Sequence, residues 1–337
     1  MFRDMIKGSN DTRPLSNNRG LGCRDPVLSN QKRKKMMTTK KLITSDDPKG
    51  LDATAKWRAV YNKQQLTDGA DGSAQRLNES REFWKELGDL IQKHSATNQY
   101  ANEVVSSNYT YPKEYKGPKP IAEQVNTIAT MFGLDPTQAL EFAKNLPTLP
   151  EGSEGWFAIP KVSVVATKQF PAITDKAEQY CEAVKLVHTK LADSRSFYNY
   201  RNGEIVPSKL RQHARTVDFL EHLEAEQQGD ILIIAVQYGM RHRGKSVRRA
   251  RETFASNEFG LGAFAIGCMA LVHPERYVRW EELDTDCAGD EFAPDADGVF
   301  SRSPVFGFVG VRLWFGAGGV SSAGGYYGSV SAFVPQN

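Results

Sequence analysis

Gly239, Gly244, Lys245 and Ser246 stand at the spacing GxxxxGK[ST], the pattern of a loop that wraps the phosphates of a nucleotide. In such a loop the backbone N–H groups surround the phosphates, the lysine reaches the β and γ groups, and the hydroxyl holds magnesium. The context fits in part, since an apolar run over 230–238 precedes the pattern and a helix is expected over 247–254. Two features point away from it. The loop interior is Met240, Arg241, His242 and Arg243, bulky where a tight phosphate loop calls for small residues, and nothing after Ser246 reads as a hydrophobic strand ending in an aspartate for the magnesium. A nucleotide-binding enzyme using ATP or GTP with magnesium is therefore the alternative expectation.

The same stretch supports a second chemistry. Arg241, Arg243, Lys245, Arg248, Arg249 and Arg251 fall within eleven residues together with His242, and no acid interrupts them. On a helix over 247–254 the arginines spread across the surface while Val247, Ala250 and Phe254 form the apolar stripe. Such a segment can contact the phosphates of RNA or DNA, or lie against carboxylates of its own chain. Those carboxylates stand close by, because residues 281–297 hold eight acids and no base. Leading the expectations is a cytoplasmic, non-enzymatic protein that binds a polyanion, RNA foremost, through residues 241–251. A structural protein whose two charged blocks pair internally is the further alternative.

Within the acidic block, Asp284, Asp286, Asp290 and Glu291 form a candidate site for a hard cation such as calcium or magnesium. Asp284, Asp286 and Gly289 match EF-hand positions one, three and six, but Ala288 and Asp295 stand at five and twelve, so the match fails. An acidic loop facing solvent or the basic helix is the plainer expectation. Cys287 lies among these acids, which raises a thiol's pKa and disfavours a nucleophile. His273 closes the apolar stretch 259–272 and reads as a cap in which a cation favours the helix dipole. His188 reads as a helix-surface residue, having no second ligand four residues away.

The elements that must place these residues follow from hydrophobic period. A strand over 230–238 has the length and β-branched character of one buried on both faces. Residues 259–272 are uncharged and glycine-containing, suited to close helix packing inside the protein, and too short to span a bilayer. Helices are expected from Asp52 through Trp57 and Tyr61, over 78–94, as a broken pair over 121–146 with Asp135 as cap, over 174–192 and over 208–227. The pair over 121–146 has a helix-turn-helix outline, but its second helix carries one base, so plain packing is expected. Residues 196–203 are aromatic and turn-forming; a strand or turn on the core is expected over a base-stacking loop. From 298 onward short β-strands joined by glycine turns are expected.

The chain has 337 residues, 40% hydrophobic and 25% charged, with a net charge of +3. That is too little for a global field to select a polyanion, so the electrostatic case rests on local patches. Four cysteines with no CxxC spacing indicate neither a zinc site nor a disulfide framework. No membrane anchor or signal peptide is expected. The organisation reads as a disordered leader over 1–48, a helical region over 49–150 and a mixed α/β domain over 151–337. Met36 or Met37 is expected as the true start, because the Lys and Arg codons at 32–35 would resemble a ribosome-binding stretch.

The segments RHRGKSVRRARE at 241–252, EFGLGAFA at 258–265, HPER at 273–276 and DCAGDE at 286–291 resemble an uncharacterised family of bacterial hypothetical proteins. The likeness runs from about Ile121 to the C-terminus and implies no activity. It also implies that Arg can stand in place of Lys245, which counts against a phosphate loop. The fold class expected is α/β or α+β: a helical N-terminal region, then a buried central strand, a buried glycine-rich helix and a β-rich C-terminal end.

Overall fold

The computed structural model describes residues 76–77, 79–94 and 98–335. The expected leader, the start at Met36 or Met37 and the helix around Trp57 lie outside the described residues. Backbone contacts divide the chain between Gly88 and Asp89, and helix α1 (Arg81–His94) runs across that point. Everything below belongs to the part after it, and the boundary expected near 150 falls inside this single unit.

In chain order this unit contains α2 (Ile121–Phe132), α3 (Thr137–Phe142), β1 (Gly155–Pro160), α4 (Val162–Gln169), α5 (Lys176–Ser194), β2 (Phe197–Asn199), β3 (Leu210–Gln212) and α6 (Ala214–Glu226). There follow β4 (Ile231–Gln237), α7 (Val247–Glu252), β5 (Glu258–Gly260), α8 (Ala263–Val272), β6 (Asp284–Asp286), β7 (Asp290–Phe292), β8 (Arg302–Val309), β9 (Arg312–Gly319), β10 (Tyr327–Ser329) and β11 (Ser331–Phe333). The fold is mixed α/β, with the central strand, the buried glycine-containing helix and the β-rich end where the hydrophobic pattern put them.

One sheet has the order β1-β4-β11-β5, antiparallel throughout. Every residue of β4 is buried, which is why this strand reads as a continuous apolar run although its neighbours are antiparallel. The outer edge of β1 is closed by a side chain: Gln124 of α2 accepts the Ala158 N–H at 3.1 Å and donates to the Trp156 carbonyl at 2.9 Å. The helix pair α2 and α3 serves the core through Val125, Ile128, Phe132 and Ala139, as plain packing requires. Asp135 starts α3 by accepting the Thr137 N–H at 2.9 Å.

The second sheet has the order β10-β6-β8-β7-β3, and β9 joins it by pairing with β8 and β2. Helix α8 is buried over its whole length. A Cβ on Gly267 would lie 2.4 Å from the Val187 side chain, so glycine lets α8 and α5 approach closely.

Two expectations change. The helix expected from 208 begins only at Ala214, because residues 210–212 pair with β7 as β3 and His213 caps α6 by accepting the Arg215 N–H at Nδ1. His188 is buried among Phe197, Phe306 and Phe315 rather than on a helix surface. Burial pushes its pKa down to about 3, so the ring is neutral.

Candidate functional site

Every backbone N–H of the loop 239–246 has an acceptor inside the protein. Gly239 and Arg241 donate to Gln237 Oε1 at 2.8 and 3.2 Å, and Met240 donates to the Tyr111 hydroxyl at 3.1 Å. His242, Arg243 and Lys245 donate to carbonyls of the loop itself, Gly244 to Tyr327 and Ser246 to Glu103. A phosphate cradle needs such amides free, and this conformation offers none from the motif. Ser246 is an N-cap, accepting the Arg249 N–H at 3.1 Å and donating to Glu103 at 2.6 Å. The glycines have their own reason for being there. Gly239 and Gly244 sit at φ 119 and 75, and a Cβ on Gly244 would meet the Val105 carbonyl oxygen at 2.4 Å.

Lys245 points inward, to His242 Nδ1 and Thr253 Oγ1, both at 3.1 Å. His242 Nε2 lies 2.6 Å from Glu258 Oε1, and both side chains are buried. Burial lowers the His242 pKa despite the neighbouring carboxylate, so the neutral ring donates from Nε2 to Glu258 and accepts the Lys245 ammonium at Nδ1. For Glu258 burial acts upward, but hydrogen bonds from His242, Ser331 and the Ala255 N–H together hold its pKa below the usual carboxylate value.

The basic segment does not form one free face. Arg241 lies 3.5 Å from Glu258, and Arg243 donates to the Tyr109 carbonyl. Arg248 pairs bidentately with Glu103 and stacks 4.3 Å from the Tyr100 ring centroid. Arg249 pairs with Glu252 at 2.7 Å. Contact with the acidic block runs through Arg251, which donates to the Ala288 and Asp290 carbonyls and lies 3.8 Å from Glu291.

The acids expected as cation ligands go separate ways. Asp290 accepts the Tyr180 hydroxyl at 2.7 Å and the Ala263 N–H at 2.7 Å, capping the buried helix α8. Glu291 pairs with Arg211 at 2.8 Å, and Asp284 accepts the Phe308 N–H at 3.3 Å. Among the described residues no three His, Cys, Asp or Glu side chains converge to hold a metal ion. The metal expectation at Asp284, Asp286, Asp290 and Glu291 is corrected accordingly: these four side chains are not brought together as a ligand set. Burial pushes Asp284 up to about 8 and Asp286 and Asp290 up to about 7. It also pushes the Cys287 thiol well up, with Asp290 and Asp286 adding to it, as expected of a non-nucleophilic cysteine. His273 does cap α8, but as a neutral ring: it donates from Nδ1 to the Met269 carbonyl, accepts the Lys119 N–H at Nε2, and is pulled down to about 4 by burial.

Beside the basic segment lies an open cleft of about 420 Å³ lined by Tyr100, His213, Arg215, Arg248, Arg251, Glu252 and Phe254, among others. Arg215 donates to the Ala255 and Ser256 carbonyls, its Nε has no partner, and among the described residues no carboxylate stands within ion-pair distance of it. Glu252 already accepts Arg249 and the Gln99 and Tyr100 N–H groups. Burial lowers the pKa of His213, Arg251, Arg215 and Arg211 lower it further, and Glu291 opposes them. Arg215 and His213 lay in the sequence as an alternation of bases at 211, 213 and 215. Only the β3–β7 pairing, which brings them beside α7, makes them part of a site.

Compared with protein-family models, with curated proteins and with solved structures, the chain matches none. Among the described residues no helix is long and apolar enough to cross a membrane.

Proposed function

We propose that this protein binds a polyanion without transforming it, and that the polyanion is RNA, held at the cleft of Arg215, Arg248 and Arg251. The observation that carries this reading is the convergence of three arginines on one open cleft whose only lining acid is already hydrogen-bonded. Tyr100 beneath Arg248 places an aromatic face next to a cation, the combination that suits unpaired bases on a charged backbone. Arg241 and Lys245, bonded inward at Glu258 and His242, take no part. A second reading, in which the charges serve only the fold, draws on the fact that each base of 241–251 has an internal partner.

Filter binding separates the two. Single-stranded RNA at low salt is retained by the parent, and Arg215→Ala combined with Arg248→Ala weakens retention at least tenfold while the melting midpoint moves by only a few degrees, because the partly exposed Arg248–Glu103 pair contributes little and Arg215 gives up only its hydrogen bonds to the Ala255 and Ser256 carbonyls. A parent that retains no RNA leaves the second reading.

A further inference from the structure

The outward face of the second sheet, where β2 runs parallel to β9, carries rings where a half-buried strand ordinarily carries polar residues. In β2 and β9, Phe197, Leu313 and Phe315 point into the core, and Tyr198 and Trp314, which stand opposite each other in register, lie on the other face. Tyr198 is 44% exposed and Tyr200 52%. Their ring centroids are 4.6 Å apart and Tyr200 lies 6.0 Å from Trp314, both pairs meeting edge to face at 72° and 76°, so each ring offers its own face, and the Arg312 guanidinium sits 4.9 Å over Tyr198.

The indole of Trp314 can lie along the sheet because its neighbours have no side chains. A Cβ on Gly307, its partner across the β8–β9 ladder, would come 2.6 Å from the indole, and one on Gly316 would come 2.8 Å from it. The nearby carboxyl of Asp284, beneath Gly307, is pushed up by burial to about 8, so at neutral pH it sets little negative charge under the rings. The same strand leads to the cleft: β9 ends at Gly319, and the next carbonyl, Val320, accepts the Arg248 N–H at 3.1 Å. Val320 lies six positions beyond Trp314, roughly 20 Å of extended chain.

We propose that Tyr198, Tyr200 and Trp314, flanked by Arg312, form a stacking platform for unpaired nucleobases of a single-stranded RNA whose backbone continues to the arginine cleft. The proposal rests on the polyanion reading for the second half of that path, and on its own geometry for the first. Flat rings next to a guanidinium accept any base by its π-face, so the platform selects single strands over duplexes and does not select sequence.

The test compares three ligands at one salt concentration: oligouridine, inorganic polyphosphate of similar charge, and a blunt RNA duplex. The parent binds oligouridine more tightly than the other two, and its tryptophan emission is quenched by oligouridine but not by polyphosphate. Tyr198→Ala combined with Tyr200→Ala weakens oligouridine roughly 5- to 150-fold for each stacked base lost and leaves polyphosphate unchanged. Tyr200→Leu keeps an apolar side chain on the surface and removes only the ring, so it shows part of the same loss in a folded protein. Trp314→Phe abolishes the quenching. Ring variants that bind oligouridine as the parent does overturn the platform and leave the cleft standing. Should polyphosphate fail to bind the parent, the cleft reading falls; the platform is then judged by the Trp314 quenching alone, and its absence overturns it as well.

Discussion

Replacing Glu258 by alanine strikes the point at which the basic segment is tied to the sheet. The carboxylate is fully buried at the start of β5 and accepts from His242 Nε2, Ser331 Oγ and the Ala255 N–H. Alanine leaves all three donors without an acceptor, at about 1–3 kcal/mol each for a buried polar group. It also removes the counter-charge from Lys245, which reaches Glu258 through the ring of His242. Breaking a buried charged pair costs about 3–5 kcal/mol, and because these contributions describe overlapping groups they do not add. The expected loss is therefore about 4 kcal/mol, a large part of a typical domain's 5–15 kcal/mol. Glu258→Gln retains the volume and one acceptor oxygen, so it loses less. Urea unfolding of the three proteins, compared at constant slope, measures the difference. If the segment instead swung free of the sheet, Glu258 would keep only Ser331 Oγ and the Ala255 N–H, and its removal would cost correspondingly less. A Glu258→Ala variant within about 1 kcal/mol of the parent would show that this carboxylate does not tie the segment to the sheet.

Stability also depends on pH with a sign set by buried acids and histidines. Asp284, Asp286 and Asp290 titrate near 8, 7 and 7 in the folded chain against an ordinary 3.8, so the stability they contribute is complete below about 3.8 and is lost progressively as pH rises from there to 7 or 8. His188 and His273, held near 3 and 4 against 6.5, act oppositely and destabilise as pH falls below 6.5. Above 6.5 only the acids act, and the melting midpoint is expected to fall between pH 6.5 and 8, less so in Asp286→Asn; a midpoint that climbs over that interval contradicts the assignment. Gly289→Ala is expected to lose several kcal/mol or fail to fold, since its Cβ would stand 2.5 Å from the Gly260 carbonyl oxygen and 2.6 Å from the Gly262 nitrogen, backbone that cannot turn aside. Circular dichroism of a soluble, parent-like variant would disprove that close approach.

The strand β4 and helix α8 were legible because α8 is apolar throughout and β4 is apolar up to Gln237, a pattern that burial on all sides demands. The short strands after 298 were legible from their glycine punctuation. The partners of the charges were not. Arg248 finds Glu103, and Lys245 reaches Glu258 through His242, pairings set by which backbone segments the two sheets bring together. No local spacing encodes them. The glycines of 239–246 mimic a phosphate loop because both motifs need left-handed backbone, and sequence shows the glycine without showing where the amides point. The aromatic run 196–203 divided by strand alternation, Phe197 inward and Tyr198 outward, a division that the β2–β9 register settles.

The salt dependence of RNA binding reads out the charges of the arginine cleft. Three arginines at the cleft, each releasing about 0.7 counterion from a single strand, give a log–log slope of affinity against salt of roughly −2. Arg215→Ala with Arg248→Ala is expected to bring that slope toward roughly −1 and to weaken binding in the same measurement. Binding by the parent that is absent at low salt, or a slope and affinity that the double substitution leaves unchanged, contradicts the arginine cleft as the site of a polyanion.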